Sequence, residues 1–218
     1  MSRATSATIH LGALRSNLER LRQLASPAQV MAVVKADGYG HGLERVARVL
    51  DRADAFGVAC IADGQRLRAT GIRQRIVVLS GIDEAADIAE MHRLGLESVV
   101  HHASQIEWLA ADADPRPLKV WLKIDTGMHR LGFAPADAAQ AYRRLHALQN
   151  VDADIGLMTH FANSDVAEDE QTRIQMQRFE QVVAKLSGAR SPTRQACWNG
   201  HSRGRSGYDR AACCMAFP

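Results

Sequence analysis

The sequence predicts an α/β protein with a parallel sheet covered by helices, on three observations. Short runs of apolar, largely β-branched residues recur along the chain. Longer amphipathic segments separate them. The runs are apolar at consecutive positions rather than alternating, as expected of strands buried on both faces. Counting from Val30, the 218 residues hold six strand–helix units before the pattern stops. Six units fit an open doubly wound sheet, and they fit equally the first three quarters of an eight-unit barrel.

The elements follow in order. Leu11, Leu14, Leu18, Leu21 and Leu24 recur at helical spacing and mark a first helix. Val30–Val34 is a compact strand, followed by a helix over Leu43–Leu50. The next units pair a strand at Phe56–Ile61 with a helix at Gly64–Ala69, and Ile76–Leu79 with Ala85–Leu94. Ser98–Val100 precedes a helix at Gln105–Ala110, and Leu118–Ile124 precedes one at Pro135–Leu148. The last unit is a strand at Asp154–Thr159 and a long helix at Asp169–Leu186, with Ile174, Phe179, Val182 and Val183 expected inside.

Charge narrows the function classes. The formal net charge is +3, and residues 191–218 supply all of it: Arg194, Arg203, Arg205 and Arg210 against Asp209. The remaining 23 basic and 23 acidic side chains balance. A neutral body lacks the electrostatic footprint of a nucleic-acid binder. No apolar run approaches the roughly 18–20 residues of a membrane span. No basic segment followed by an apolar stretch opens the chain, so a cytoplasmic protein is expected. Cys60 stands alone in the body, and Cys197, Cys213 and Cys214 lie in the tail without metal-ligand spacing, so no metal site is expected. The tail contains no Leu, Ile or Val and no strand or helix period, and is expected to be disordered.

Three segments carry candidate chemistry. In Ala32-Val33-Val34-Lys35-Ala36-Asp37-Gly38-Tyr39-Gly40-His41-Gly42 a lysine ends a buried strand before a glycine-rich turn. Partial desolvation there lowers an amine's pKa and suits a Schiff-base lysine; the alternative is a snorkelling surface lysine. In Trp121-Leu122-Lys123-Ile124-Asp125-Thr126-Gly127-Met128-His129-Arg130-Leu131-Gly132-Phe133 a strand delivers a lysine that is costly to bury unless paired or altered. A structural Lys123–Asp125 pair is the plain reading. In Met158-Thr159-His160-Phe161-Ala162-Asn163-Ser164-Asp165 a histidine ends a strand, a position that structural hydrogen-bonding also explains. The acids Asp165, Glu168, Asp169 and Glu170 suit a helix N-terminus.

All three runs resemble the alanine racemase family, the first residue for residue from Val33 through Gly42. The resemblance implies a pyridoxal-5'-phosphate-binding (β/α)8-type barrel, present here as about six units, with a C-terminal β domain missing. It implies that Lys35 carries the cofactor and is a catalytic base, that Tyr39 binds the cofactor phosphate and that His160 stacks on the pyridine ring. Lys123 matches a lysine that is carbamylated in the family. Its anion would hold Arg130, and Arg130 would grip the substrate carboxylate. His129 stands where many relatives have glycine. The implied activity is interconversion of L- and D-alanine for peptidoglycan by a cytoplasmic homodimer, with the second base a tyrosine from the partner's C-terminal domain. A non-catalytic single-domain pyridoxal-phosphate carrier and a broad-specificity amino-acid racemase are the alternatives.

The resemblance covers roughly residues 7–190, which divides the chain into a partial barrel at 1–190 and a tail at 191–218. One permitted set of codons for Arg190–Asn199, read two bases later, gives Leu-Ala-Asn-Ser-Ala-Gly-Val-Leu-Glu. The same shift over Gly207–Phe217 and the first two bases of the Pro218 codon gives Val-Arg-Pro-Gly-Gly-Met-Leu-His-Gly-Val-Ser. Both resemble family segments in the right order, so the tail is expected to be out of frame. A six-stranded barrel would expose two edges and an apolar interior, with poor solubility and little activity.

Overall fold

The computed structural model describes residues 6–164, 166 and 169–187, and the strand backbones at 195–199 and 213–217. The chain opens with α1 (Leu11–Ala25), β1 (Gln29–Val33), a helical turn α2 (Lys35–Tyr39) and α3 (Leu43–Val49). Then come β2 (Ala55–Val58), α4 (Ile61–Ala69), β3 (Arg75–Val78), α5 (Asp87–Leu94), β4 (Glu97–Val100) and α6 (Ala103–Ala111). They are followed by β5 (Val120–Lys123), α7 (Ala138–His146), β6 (Gly156–His160) and α8 (Glu170–Ser187), and then β7 (Gln195–Asn199) and β8 (Cys213–Phe217). Strands β1 to β6 pair in sequence order, each parallel to the next. The barrel, not the open doubly wound sheet, is therefore the architecture.

Each parallel strand is apolar on both faces because each face meets a different core. Met31, Val33, Ala55, Val77, Val99, Trp121 and Met158 point inward and fill the barrel. Val30, Ala32, Phe56, Ile76, Leu122 and Leu157 point outward and join the helices in a larger outer core. The period of two within each strand produces this division.

The N-terminal end of the barrel is sealed by a bonded charge. Glu97, 7% exposed, accepts from the Trp121 indole at 2.8 Å and from Arg75 through Nε at 2.6 Å and Nη2 at 2.8 Å. Gly156 faces the indole so closely that an added Cβ would fall 2.3 Å from Trp121 Cε3. The opposite, C-terminal end is where the strands deliver polar side chains.

Several expectations change. The run Phe56–Ile61 is not all strand: β2 ends at Val58, and Ile61 opens α4, packing against the outer core. In α8, Ile174 is only half-buried, and Gln175 takes the buried position. Within the tail, where disorder was expected, two segments are strands. β7 lies parallel to β6, and β8 is antiparallel to both β7 and β1, closing the ring. The physical reason is the row of unsatisfied N–H and C=O groups that β1 and β6 would otherwise present. The two exposed edges expected of six strands are therefore covered. The antiparallel β8 departs from the all-parallel order of an eight-unit barrel. Residues 191–194, 200–212 and 218 of the tail reading lie outside the described residues.

Candidate active site

Strand parity places the site. Inward positions on β5 run Trp121 and then Lys123, and on β6 Met158 and then His160; Lys35 opens α2, two residues beyond inward-facing Val33 at the end of β1. Each polar residue follows the apolar filling, at the C-terminal mouth. Lys35, Lys123 and His160 accordingly share one electrostatic environment, joined by Arg130.

The turn carrying Lys35 has an unusual hand. Ala36, Asp37 and Gly38 have φ of 53°, 54° and 63°, and Tyr39 has φ of 56°, so α2 winds left-handed. Such a conformation costs non-glycine residues about 1–2 kcal/mol each and persists where surrounding bonds over-determine it. Those bonds are present. Gly38 N–H donates to the Val34 carbonyl at 2.8 Å and Gly42 N–H to the Asp37 carbonyl at 2.8 Å. The Asp37 carboxylate accepts from Leu43 N–H at 3.1 Å and Arg66 Nη2 at 3.0 Å. These two donors, the amide first, hold the Asp37 carboxyl below its usual pKa. Gly38 also lets Val46 approach, since a Cβ there would lie 3.1 Å from Val46 Cγ2. The turn returns Tyr39 to the barrel, where it packs against the inner core.

Lys123 is 8% exposed. Burial first, then the Arg130 charge, lower its pKa to about 8, against the opposing pull of Asp125. The simple Lys123–Asp125 pair is not how Asp125 is used. Its Oδ1 accepts the amides of Gly127, Met128 and His129, each at 3.0 Å. Burial works to raise the Asp125 carboxyl, but these amides and His129 hold it below its usual value. His129 has φ of 58°, in the left-handed region that favours glycine. Arg130 is exposed and lines a cavity of about 430 Å³ with His101, His102, Asp125 and His129.

His160 is driven strongly toward the neutral imidazole. Burial, then the charges of Lys123, Arg130 and Lys35, push its pKa down to about 3. The plain reading of the neighbouring acids holds for Asp169, whose Oδ2 accepts Thr172 N–H at 3.0 Å at the start of α8. Asp165 and Glu168 lie outside the described residues.

Sequence reasoning missed His101. It is the inward position following Val99, so the parity that selects the other three selects it as well. Its Nε2 donates to the Ser80 carbonyl at 2.8 Å, which leaves Nδ1 as the acceptor. Burial lowers its pKa, opposed by the Ser80 bond and reinforced by Lys123 and His102. The mouth thus gathers two lysines and an arginine beside imidazoles that resist protonation. That arrangement suits a ligand bearing more than one anionic group.

A barrel with a lysine-rich mouth of this kind defines a class of small-molecule site at strand C-terminal ends. The chain belongs to the alanine racemase family: residues 9–201 match its model, described as alanine racemase, N-terminal domain. It is 49% identical over 185 residues to an alanine racemase of Shewanella sp. (strain MR-4), covering 85% of this chain and 52% of that relative. An alanine racemase of Thioalkalivibrio sulfidiphilus is 47% identical over 193 residues, covering 88% and 54%. The chain therefore spans about half the length of the curated relatives it matches.

Among solved structures, the biosynthetic alanine racemase of Pseudomonas aeruginosa superposes with a TM-score of 0.72 at 37% identity, over 78% of this chain and 48% of that one. The alanine racemase of Clostridium difficile 630 reaches 0.79 at 26% identity, over 97% and 65%.

Proposed function

We propose that this chain is the cofactor-binding barrel of an alanine racemase, with pyridoxal 5'-phosphate held at Lys35. The observation that carries the reading is the convergence of Lys35, Lys123, His160 and Arg130 on one mouth. The residues fit the group: an amine at a strand end, cations for a phosphate and a carboxylate, and an imidazole kept neutral enough to lie against a heteroaromatic ring. When bound, the cofactor supplies the electron sink that acidifies the Cα–H of an attached amino acid.

The chain's own side chains do the rest. Lys35 would anchor the cofactor and would hold or return the Cα proton at Nζ on one face. Arg130 fixes the substrate carboxylate by charge-assisted hydrogen bonds. Tyr39 would bind the cofactor phosphate. Lys123, with a pKa near 8, keeps a neutral fraction at physiological pH. Its Nζ can then bond to carbon dioxide, releasing one proton to solvent and becoming an anion that holds Arg130. Racemisation needs a second base on the opposite face. The proposal includes a homodimer whose partner subunit supplies it, in the cytoplasm, making D-alanine for peptidoglycan. Among the described residues, no helix is long and apolar enough to cross a membrane.

Absorption spectra with added pyridoxal phosphate test the assignment. A band near about 420 nm, lost in Lys35→Ala, is the expected result. A band that survives in the variant would move the attachment to another lysine, and no band in either protein would overturn the reading for this chain.

The domain division is part of the proposal: residues 1–190 are the partial racemase barrel, and 191–218, which include β7 and β8, are an out-of-frame segment. Genomic DNA sequencing decides it, because the actual codons either produce the second reading or cannot.

A further inference from the structure

We propose that Gln175 is a positioning residue that locks the strand end carrying His160 to the turn carrying Arg130, so that the two behave as one unit. The inference deepens the proposed function, since it rests on reading His160 and Arg130 as parts of one site.

Gln175 sits in α8 and is fully buried, at 0% exposure. Its Oε1 accepts from Ala162 N–H at 2.9 Å. An amide N–H only donates, so the orientation of the side chain is fixed and Nε2 must donate on the other side. It does so twice, to the His160 carbonyl at 3.1 Å and to Thr126 Oγ1 at 3.4 Å. Thr159 Oγ1 donates to the Ile124 carbonyl at 3.0 Å, so the 2.8 Å contact between the threonines is a donation from Thr126. A continuous relay therefore runs from Gln175 through Thr126 and Thr159 to the end of β5.

Two neighbours on α8 add to it. Gln171 Nε2 donates to the Gly127 carbonyl at 3.3 Å, and Arg178 Nη1 to the Thr126 carbonyl at 3.0 Å. Gly127, with φ of 140°, lets the helix sit this close, since a Cβ there would fall 3.0 Å from Gln171 Nε2.

The same device occurs once more. Gln105, 3% exposed on α6, accepts from His101 N–H at 2.7 Å and His102 N–H at 3.2 Å. It donates to the Ser80 and Ile82 carbonyls at 3.2 and 3.0 Å. In both cases a helix glutamine accepts from the backbone just past its own strand; Gln105 donates to carbonyls past the preceding strand, and Gln175 to the end of its own strand and to the Thr126 hydroxyl past the preceding one. Gln105 braces the loops after β3 and β4; Gln175 braces those after β5 and β6. A ring that lies against a cofactor and a guanidinium that grips a carboxylate must keep their relative placement within about 0.5 Å. Only the second brace joins that pair, and the first, of similar burial and chemistry, is a comparison that holds His101 and His102 instead.

Hydrogen–deuterium exchange on the full chain without cofactor, read by mass spectrometry, tests this. Gln175→Met keeps the volume and removes every bond. It should raise exchange about tenfold in peptides over both 124–133 and 158–163 and leave 97–105 unchanged. Gln105→Met should do the reverse, loosening 80–84 and 99–105 only. Gln175→Glu retains the acceptor for Ala162 N–H, so it should protect that amide while still freeing 126–130. Loosening confined to 158–163, uniform loosening of the barrel, or no change would each overturn the proposal. With pyridoxal phosphate, Gln175→Met should weaken cofactor affinity several-fold more than Gln105→Met at matched thermal stability. Because exchange needs no cofactor, failure of the cofactor reading would show separately.

Discussion

Lowering the pH from 6.5 toward 3 should destabilise the barrel, and His160→Phe should reduce the part of that loss that sets in above about pH 5, before the carboxylates titrate. Burial, then Lys123, Arg130 and Lys35, hold the His160 pKa near 3 in the folded chain, against about 6.5 when unfolded. Between those values the unfolded chain binds a proton that the folded chain refuses. Stability is then full above about pH 6.5 and falls as pH drops toward 3. By pH 4 this one residue should lower the unfolding midpoint measurably, by less than the full shift implies because solvent screens the part-exposed ring. His101, lowered by burial in the same direction, adds to it. Urea denaturation midpoints across pH 4–8 give the measurement. Phenylalanine preserves a flat ring and cannot titrate, so the difference between parent and variant isolates the imidazole. Parallel curves would show that protonating His160 costs the fold nothing.

Replacing Glu97 with alanine should cost about 3–5 kcal/mol of folding free energy, the usual penalty for breaking a buried pair from one side. Three donors converge on this carboxylate, two from Arg75 and one from Trp121. Truncation leaves the indole N–H without its acceptor in the inner core and the guanidinium against the ring, 5.7 Å from its centroid. Removing both charges with apolar side chains of similar length should recover much of the loss, because desolvation of the second ion is no longer demanded. Urea unfolding of Glu97→Ala, and of Glu97→Met combined with Arg75→Met, measures both. A single variant within about 1 kcal/mol of the parent would mean that water replaces the carboxylate. The pair lies at the barrel end opposite Lys35, so stability is tested there without touching the proposed site.

Much of the site was legible because strands impose a period of two. Met31 and Val33 lead to Lys35, Trp121 to Lys123 and Met158 to His160, and the apolar residues on both sides announced a buried parallel sheet. The same rule would have found His101, but a strand as short as Glu97–Val100 offers little pattern to extend. The left-handed turn was hidden for another reason. Ala36 and Asp37 are not residues that prefer positive φ; contacts from Leu43 and Arg66 impose it. Gln105 and Gln175 look like ordinary polar helix residues, and Ile174 was the natural choice for the buried position. Their burial depends on backbone groups of other strands that no local window contains. The closing of the ring by β7 and β8 has the same origin, since a segment without Leu, Ile or Val carries no strand signal of its own. Sequence by itself marked Lys35, Lys123 and His160 as residues at strand ends, because an apolar run and its end are local features of the chain. Tertiary structure alone decided their charge and mutual placement. Desolvation, Coulomb fields and hydrogen-bond braces depend on groups brought together from distant parts of the chain.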